Sequence, residues 1–115
     1  MNKPTIYHNP RCSKSRQTLA LLEEQGVQPK IVEYLNETPD KATLKEIIAS
    51  LGIKPHDVLR TKETEYKESG LSKDSSDNEV LDALVKYPKL LERPIVVKGK
   101  KAAIGRPPEN VLDIL

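Results

Sequence analysis

The sequence contains no tryptophan, no phenylalanine and only four tyrosines. The core must therefore be built mainly from aliphatic side chains. No apolar run approaches the roughly 20 residues needed to cross a bilayer, and the first residues lack the apolar segment of a secretory signal. We therefore expect a cytoplasmic protein without a membrane span. Its 115 residues suit a single domain over 1–115, since two halves would each be short of core.

The sequence also has few potential metal ligands and no large excess of positive or negative charge. The lone cysteine, Cys12, excludes an internal disulfide framework and a cysteine-only zinc site. Together with two separated histidines, it makes a poor ligand set, so we expect no bound metal or organic cofactor. The formal net charge is +2, with acids and bases interleaved. A nucleic-acid partner is not expected, because such proteins concentrate basic residues on one face.

The first third of the chain predicts a strand, a helix and a second strand. Residues 5–8 are β-prone, and residues 13–25 carry the apolar pattern of a helix that Gly26 would end. Residues 30–35 read as the second strand. Short connections between these elements indicate a βαβ unit, which implies that the two strands are parallel.

The middle of the chain, about 38–91, predicts a helical insertion. Asp40 is a candidate N-cap for a helix with apolar residues spaced i, i+3, i+4 and i+7. Ser76 and Glu79 form a possible capping box before another apolar helix. No sequence repeat or low-complexity tract interrupts this region.

The last quarter returns to strands. Residues 95–97 form a buried-strand pattern, Gly99 marks a hairpin turn, and residues 101–104 supply its partner. Pro107 or Pro108 suits the first turn of a closing helix. The predicted order, βαβ followed by helices and ββα, is that of an α/β domain with a thioredoxin-like mixed sheet and a helical insertion between its two halves.

Cys12 lies at the junction of the first strand and the first helix. A thiol at a helix N-terminus faces unpaired N–H groups and the positive end of the helix dipole, and both favour the thiolate. The same N–H groups can bind a tetrahedral oxyanion, and Arg11, Lys14 and Arg16 add positive charge nearby. The alternative is a small buried cysteine that packs like a hydrophobe. The polar neighbours on both sides favour a reactive thiol.

Ser15 and His8 are candidates to support the thiolate. Ser15 takes the second position of a C-x-x-S pattern, where a dithiol oxidoreductase would carry its resolving cysteine. A hydroxyl cannot close a disulfide, so the reducing thiol must come from outside. Ser15 would either donate a hydrogen bond to the thiolate or satisfy an N–H of the first helical turn. His8 would act on the thiolate as a cation or hydrogen-bond donor, or simply end a strand at the surface.

Three arginines, Arg60, Arg93 and Arg106, are candidates to bind the oxyanion. Arg93 and Pro94 precede the third strand, and Arg106 follows the last one, so the topology brings both toward the cysteine loop. Arg60 belongs to the insertion, which could fold over the same edge. Guanidinium groups suit an oxyanion because they donate two parallel hydrogen bonds. Independent surface positions are the alternative. A cis form of Pro94 is a further possibility.

The motifs together resemble the glutaredoxin-coupled arsenate reductases of the ArsC type. The resemblance is carried by residues 7–16 (YHNPRCSKSR), 93–97 (RPIVV) and 105–107 (GRP), and it extends over about 4–115. Several separated motifs in the same order make it much more specific than C-x-x-S alone. The chain stops at Leu115, where better-known members have a longer tail, so it looks like the compact branch of the family.

The resemblance implies a reaction and a set of partners. Cys12 would attack arsenate, His8 would help to maintain the thiolate, and Arg60, Arg93 and Arg106 would bind the oxyanion. Glutathione, as co-substrate, would attack the adduct, and glutaredoxin would complete the reduction to arsenite. A monomer is expected. The resemblance also implies a thioredoxin-like fold with a helical insertion.

Two other functions remain open at this point. One is a glutathione-dependent thiol oxidoreductase, in which the arginines hold a carboxylate of a glutathione adduct. The other is an Spx-type regulator that binds RNA polymerase and senses oxidation through a C-x-x-C pair. Ser15 in the second position removes that switch, which makes the regulator the weaker alternative.

Overall fold

Four strands form one mixed sheet in the computed structural model, which describes residues 3–115. The strands are β1 (Thr5–His8), β2 (Lys30–Glu33), β3 (Ile95–Lys98) and β4 (Lys101–Ile104), and their order in the sheet is β2-β1-β3-β4. β1 runs parallel to β2 and antiparallel to β3, and β3 runs antiparallel to β4. The predicted mixed sheet of a thioredoxin-like fold is confirmed.

The sheet belongs to the first of two compact units, which comprises the chain through Glu37 together with Arg93–Leu115. Helix α1 (Ser13–Glu24) connects the parallel strands β1 and β2. The core of this unit is aliphatic, as the composition requires, and its buried cluster consists of Ile6, Leu22, Val96 and Val111. Burial of such side chains is the main stabilising contribution to a unit of this size.

The second unit, Thr38–Glu92, is helical. It contains α2 (Lys41–Leu51), α3 (Thr64–Glu68), α4 (Asp77–Lys86) and two short 3₁₀ helices. Both predicted N-caps are confirmed. The Asp40 side chain accepts the Thr43 N–H at 2.8 Å, and Ser76 and Glu79 form a reciprocal capping box. Among the described residues, no helix is long and apolar enough to cross a membrane.

The end of one strand and the type of one helix differ from the predictions. β2 ends at Glu33 instead of continuing to residue 35, because the N–H groups of Asn36 and Glu37 both bond back to the Glu33 carbonyl at 2.9 Å and form a turn. The closing segment, Pro108–Ile114, is a 3₁₀ helix with i→i+3 bonds instead of an α-helix. Tyr34 therefore lies in the turn after β2, and its side chain is fully buried.

The strand register gathers three loops at one edge of the sheet. The parallel pair places His8 beside Glu33, so the carboxyl ends of β1 and β2 coincide. Tyr7 pairs with Ile95 at the beginning of β3, and Ile95 pairs with Ile104 at the end of β4. Consequently the cysteine loop, the segment before β3 and the segment after β4 all begin or end at the same edge.

Candidate active site

The cysteine loop turns directly from β1 into α1. The Cys12 N–H donates to the Asn9 carbonyl at 3.0 Å, and the Arg11 N–H donates to Asn9 Oδ1 at 3.0 Å. Cys12 is the N-cap residue of α1, with extended backbone angles, and its carbonyl accepts the Arg16 N–H at 3.0 Å. The thiol is thereby fixed at the N-terminus of the helix, half-buried.

The surroundings of Cys12 favour its thiolate. Partial burial by itself would raise the pKa of the thiol, because it removes water from the charged form. Hydrogen bonds from the Ser15 N–H, the Arg93 side chain and the Lys14 N–H, together with the Arg93 charge, outweigh that effect. The pKa of Cys12 therefore lies below its ordinary value, as expected for a thiol at a helix N-terminus.

Arg106 approaches the same sulfur from the end of β4. Its Nη2 donates toward Cys12 Sγ at 3.5 Å, while its Nε donates to the Arg93 carbonyl at 2.7 Å. The second bond ties the two segments that carry the arginines to each other. The structure thus brings Cys12, Arg93 and Arg106 together, although they are far apart in sequence. The Arg93–Pro94 and Arg106–Pro107 peptide bonds are both cis.

Ser15 and His8 contact each other beneath the loop. Ser15 Oγ lies 2.6 Å from His8 Nδ1 and accepts the Asn9 N–H at 3.0 Å. Burial, opposed by the charge of Glu33, lowers the pKa of His8, which favours a neutral imidazole. The Ser15 hydroxyl therefore ties the loop to α1, a contact that the sequence did not indicate. His8 is buried, so it does not end the strand at the surface, and its lowered pKa speaks against the cationic role. A direct hydrogen bond from His8 to the thiolate stays a prediction, because the contact observed is with Ser15.

Arg60 belongs to the second unit, where two carboxylates hold its side chain. Its Nε lies 3.1 Å from Glu63 Oε1, and its Nη1 lies 3.0 Å from Glu92 Oε1. Its backbone N–H also donates to the Leu90 carbonyl at 2.7 Å. Its assignment as an oxyanion ligand stays a prediction.

Gly105 and Thr18 also position the site, and sequence reasoning did not single them out. A Cβ at Gly105 would meet Thr18 Oγ1 at 2.5 Å and Pro94 Cγ at 2.9 Å. Only a glycine therefore allows the end of β4 to lie so close to α1, and Arg106 is the next residue in the chain. The glycine of the run 105–107 was the available signal.

A model of the ArsC family matches residues 7–114 of the sequence. The chain belongs to the ArsC family. It is 48% identical to the arsenate reductase of Neisseria meningitidis serogroup A over 96% of each chain. It is also 53% identical to the Escherichia coli K12 protein named "Uncharacterized protein YfgD", over 96% of this chain and 94% of that protein. The structure of an arsenate reductase from Vibrio cholerae superposes with a TM-score of 0.94 at 48% identity, covering 97% of both chains.

In this ArsC-family chain, the groups that favour a thiolate and the donors that suit an anion converge on the same sulfur. Two guanidinium groups and the helix N–H groups converge on Cys12 Sγ, so a tetrahedral oxyanion bound there would place its central atom next to the sulfur. No group of three or more potential metal-ligating side chains occurs among residues 3–115.

A cavity of about 370 Å³ borders the other side of the cysteine loop in this ArsC protein. It is lined by the loop and by the residues that follow β2, including His8, Arg11, Glu33 and Asn36. Its wall carries charges of both signs and also includes the apolar residues Pro10 and Leu35. The space reaches the imidazole that contacts Ser15.

Proposed function

We propose that this ArsC-family protein is a glutathione- and glutaredoxin-dependent arsenate reductase, with Cys12 as its nucleophile. The observation that carries the proposal is the convergence of the Ser15 N–H, Arg93 and Arg106 on the sulfur of Cys12. Relatives named arsenate reductase at 48% identity support the choice of substrate.

The first step is the attack of the Cys12 thiolate on the arsenic of bound arsenate. A sulfur–arsenic bond forms, and an oxygen of arsenate leaves as water after taking up protons. Arg93 and Arg106 bind the remaining oxygens and stabilise the charge that develops on them. Because the helix N–H groups are already aligned toward the sulfur, they stabilise both the thiolate and the bound anion.

The second step needs thiols from outside, because Ser15 cannot act as a resolving cysteine. Glutathione attacks the cysteine–arsenate adduct, and glutaredoxin supplies the remaining thiol. Glutathione displaces an oxygen of the adduct as water and forms a second sulfur–arsenic bond. The glutaredoxin thiol then attacks the glutathione sulfur, so that the two external thiols become one mixed disulfide and arsenic(V) takes up the two electrons. Water finally cleaves the bond between arsenic(III) and Cys12, which releases arsenite and restores the thiol. Arg60 is proposed as a third oxyanion ligand. A reducing compartment such as the cytoplasm suits an enzyme that depends on a free thiol, and the protein is proposed to act as a monomer without a bound cofactor.

The decisive experiment measures arsenite formation from arsenate with glutathione, glutaredoxin and its recycling system. The wild type should turn over, and Cys12→Ser should lose all measurable turnover, because a hydroxyl is far less ionised than a thiol at neutral pH. A Cys12→Ser/Ser13→Cys double variant is the matched control, because it keeps one thiol but moves it by one residue. It should also be inactive.

Turnover by Cys12→Ser would contradict the proposed nucleophile. If the wild type itself forms no arsenite, arsenate is the wrong substrate. In that case, removal of glutathione from a glutathionylated substrate by the wild type would indicate the alternative thiol oxidoreductase.

A further inference from the structure

The cavity beside the cysteine loop is formed by the ends of β1 and β2 and by the segments that follow them. Its volume of about 370 Å³ suits a small ligand or the head group of a larger one. His8 and Glu33 pair in register, so their side chains lie on the same face of the sheet. Arg11 is also part of the wall and directly precedes Cys12. A ligand in this cavity would therefore lie next to the segment that carries the thiol.

The imidazole of His8 is a buried polar group in the cavity wall, with only 6% of the residue exposed. The Ser15 hydroxyl accepts the Asn9 N–H at 3.0 Å, so its single proton is available for His8 Nδ1, which lies 2.6 Å away. In a neutral imidazole, this arrangement puts the ring proton on Nε2. Among residues 3–115, Nε2 has no hydrogen-bond partner, and it is not one of the unpartnered atoms that are shielded from solvent. The cavity therefore offers an unused N–H donor.

Arg11 and Glu33 bring opposite charges to the cavity without pairing with each other. The ion pairs among residues 3–115 involve neither of them. Glu33 Oε1 accepts a hydrogen bond from Asn36 Nδ2 at 3.4 Å, which leaves most of the carboxylate's acceptor sites open. A purely anionic ligand would be repelled by Glu33, and a purely cationic one by Arg11. The pair of charges suits a ligand that carries both signs itself.

An α-amino acid group is a ligand that matches these three side chains. Its carboxylate would accept hydrogen bonds from the Arg11 guanidinium and from His8 Nε2–H, and its ammonium would donate to Glu33. Glutathione, the external thiol of the proposed reaction, carries such a group at its γ-glutamyl end. Pro10 and Leu35 also line the cavity, and they suit the methylene groups that connect this end to the rest of glutathione.

We propose that this cavity binds the α-amino acid end of glutathione, with Arg11 and His8 holding its carboxylate and Glu33 its ammonium. Glutathione bound in this way keeps its thiol free to attack the adduct on Cys12, the residue that follows Arg11. The effect on turnover rests on the proposed arsenate reduction, whereas binding of the α-amino acid group does not.

The binding test uses calorimetry with S-methylglutathione, whose blocked thiol cannot react with the protein. Glu33→Gln and Arg11→Gln should each weaken binding about five- to tenfold, as expected for loss of one charge-assisted hydrogen bond at a partly exposed site. Glu37→Gln is the matched control, because Glu37 is an exposed glutamate of the same turn that does not line the cavity. It should keep wild-type affinity. Wild-type affinity in both cavity variants would overturn the proposal.

Two further ligands test which part of glutathione is bound. S-methylglutathione that is acetylated at its α-amino group should bind equally weakly to the wild type and to Glu33→Gln, because it has no ammonium for Glu33 to hold. A further loss in the variant would contradict the assigned role of Glu33. If L-glutamate binds as tightly as S-methylglutathione, the ligand is a free amino acid and the assignment to glutathione is wrong.

A measurement on the wild type tests the buried donor directly. The Nε2 nitrogen resonance of His8 should shift when S-methylglutathione saturates the protein, and an unchanged resonance would contradict the proposal. In turnover, Glu33→Gln should raise the KM for glutathione by the factor seen in calorimetry and leave kcat unchanged. If the wild type forms no arsenite, the proposed function fails, but calorimetry and the His8 resonance still decide whether the cavity binds the α-amino acid group.

Discussion

The hydroxyl of Ser15 lies fully buried at the junction between the cysteine loop and α1. It bonds the His8 imidazole at 2.6 Å and accepts the backbone N–H of Asn9 at 3.0 Å. Its own backbone N–H is one of the groups that lower the pKa of Cys12. One residue therefore connects the end of β1, the loop and the helix N-terminus that faces the thiol.

Ser15→Ala should destabilise the protein by roughly 2 kcal/mol, because it leaves a buried imidazole nitrogen and a buried N–H without their partner. The free energy of unfolding in urea measures the change. Ser13→Ala is the matched control, since Ser13 is exposed in the same helical turn. It should remain within about 0.5 kcal/mol of the wild type. Equal losses in the two variants would mean that the His8–Ser15 contact contributes nothing.

The sequence identified some site residues better than others. Cys12 stood out because it is the lone cysteine and precedes a helix, and Arg93 and Arg106 because they flank predicted strands. The Ser15–His8 contact could not be predicted from the sequence, because it depends on how the loop 9–11 folds back onto α1.

At the scale of elements, local signals were reliable and boundaries were less so. The N-caps Asp40 and Ser76 were predicted because a side-chain oxygen three residues before a free N–H is a short-range pattern. The length of β2 was overestimated. Its last two predicted residues have strand propensity, but they lie in a turn that is closed by hydrogen bonds to the Glu33 carbonyl. Strand propensity does not indicate which carbonyl will accept the N–H groups of the residues that follow.

The close approach of β4 to α1 leads to a prediction at Gly105. Gly105→Ala would force a methyl group against Thr18 and Pro94, both of which are buried. We expect a loss of roughly 1–3 kcal/mol in the free energy of unfolding. Phosphate affinity, measured by calorimetry, should also fall, because Arg106 is the next residue.

Gly52→Ala is the control variant that separates the loss of stability from the loss of phosphate affinity. Gly52 ends α2 with a φ of 71° in open space, so its substitution costs about 1 kcal/mol of backbone strain. Because a Cβ at Gly52 would meet nothing within 4 Å and none of the proposed oxyanion ligands lies next to it in the chain, phosphate affinity should not change. If Gly105→Ala keeps both wild-type stability and wild-type affinity, the close approach does not position Arg106.

At the scale of the whole molecule, the unit that carries the thiol is discontinuous in sequence. β1 pairs with β3, although the whole second unit, Thr38–Glu92, lies between these strands in the sequence. The sequence predicted this arrangement because strand, helix and strand imply a parallel pair and the last two strands form a hairpin. The register that brings Arg93 and Arg106 to Cys12 follows from that topology. The side-chain geometry around the sulfur does not follow from the topology, because it depends on packing at single residues such as Gly105.

His8 links the site to the stability of the whole protein. Its folded-state pKa is lowered from 6.5, chiefly by burial, so the unfolded chain takes up a proton at a pH where the folded chain resists it. Stability from the neutral imidazole is therefore complete above about pH 6.5 and is lost as the pH falls through the folded-state pKa. The free energy of unfolding should drop on acidification from pH 7 to pH 5, and by less in His8→Asn, which keeps a polar partner for Ser15 but does not titrate.

His56→Asn provides the comparison, because it removes the chain's second histidine and leaves His8 in place. It should retain the part of the drop between pH 7 and pH 5 that comes from His8. If His8→Asn loses as much stability on acidification as the wild type does, burial does not keep the imidazole neutral. His8 would then be able to carry a positive charge under the loop, and the cationic role first considered for it would regain support. The acid limb of the unfolding profile therefore decides whether His8 is neutral or charged in the folded protein.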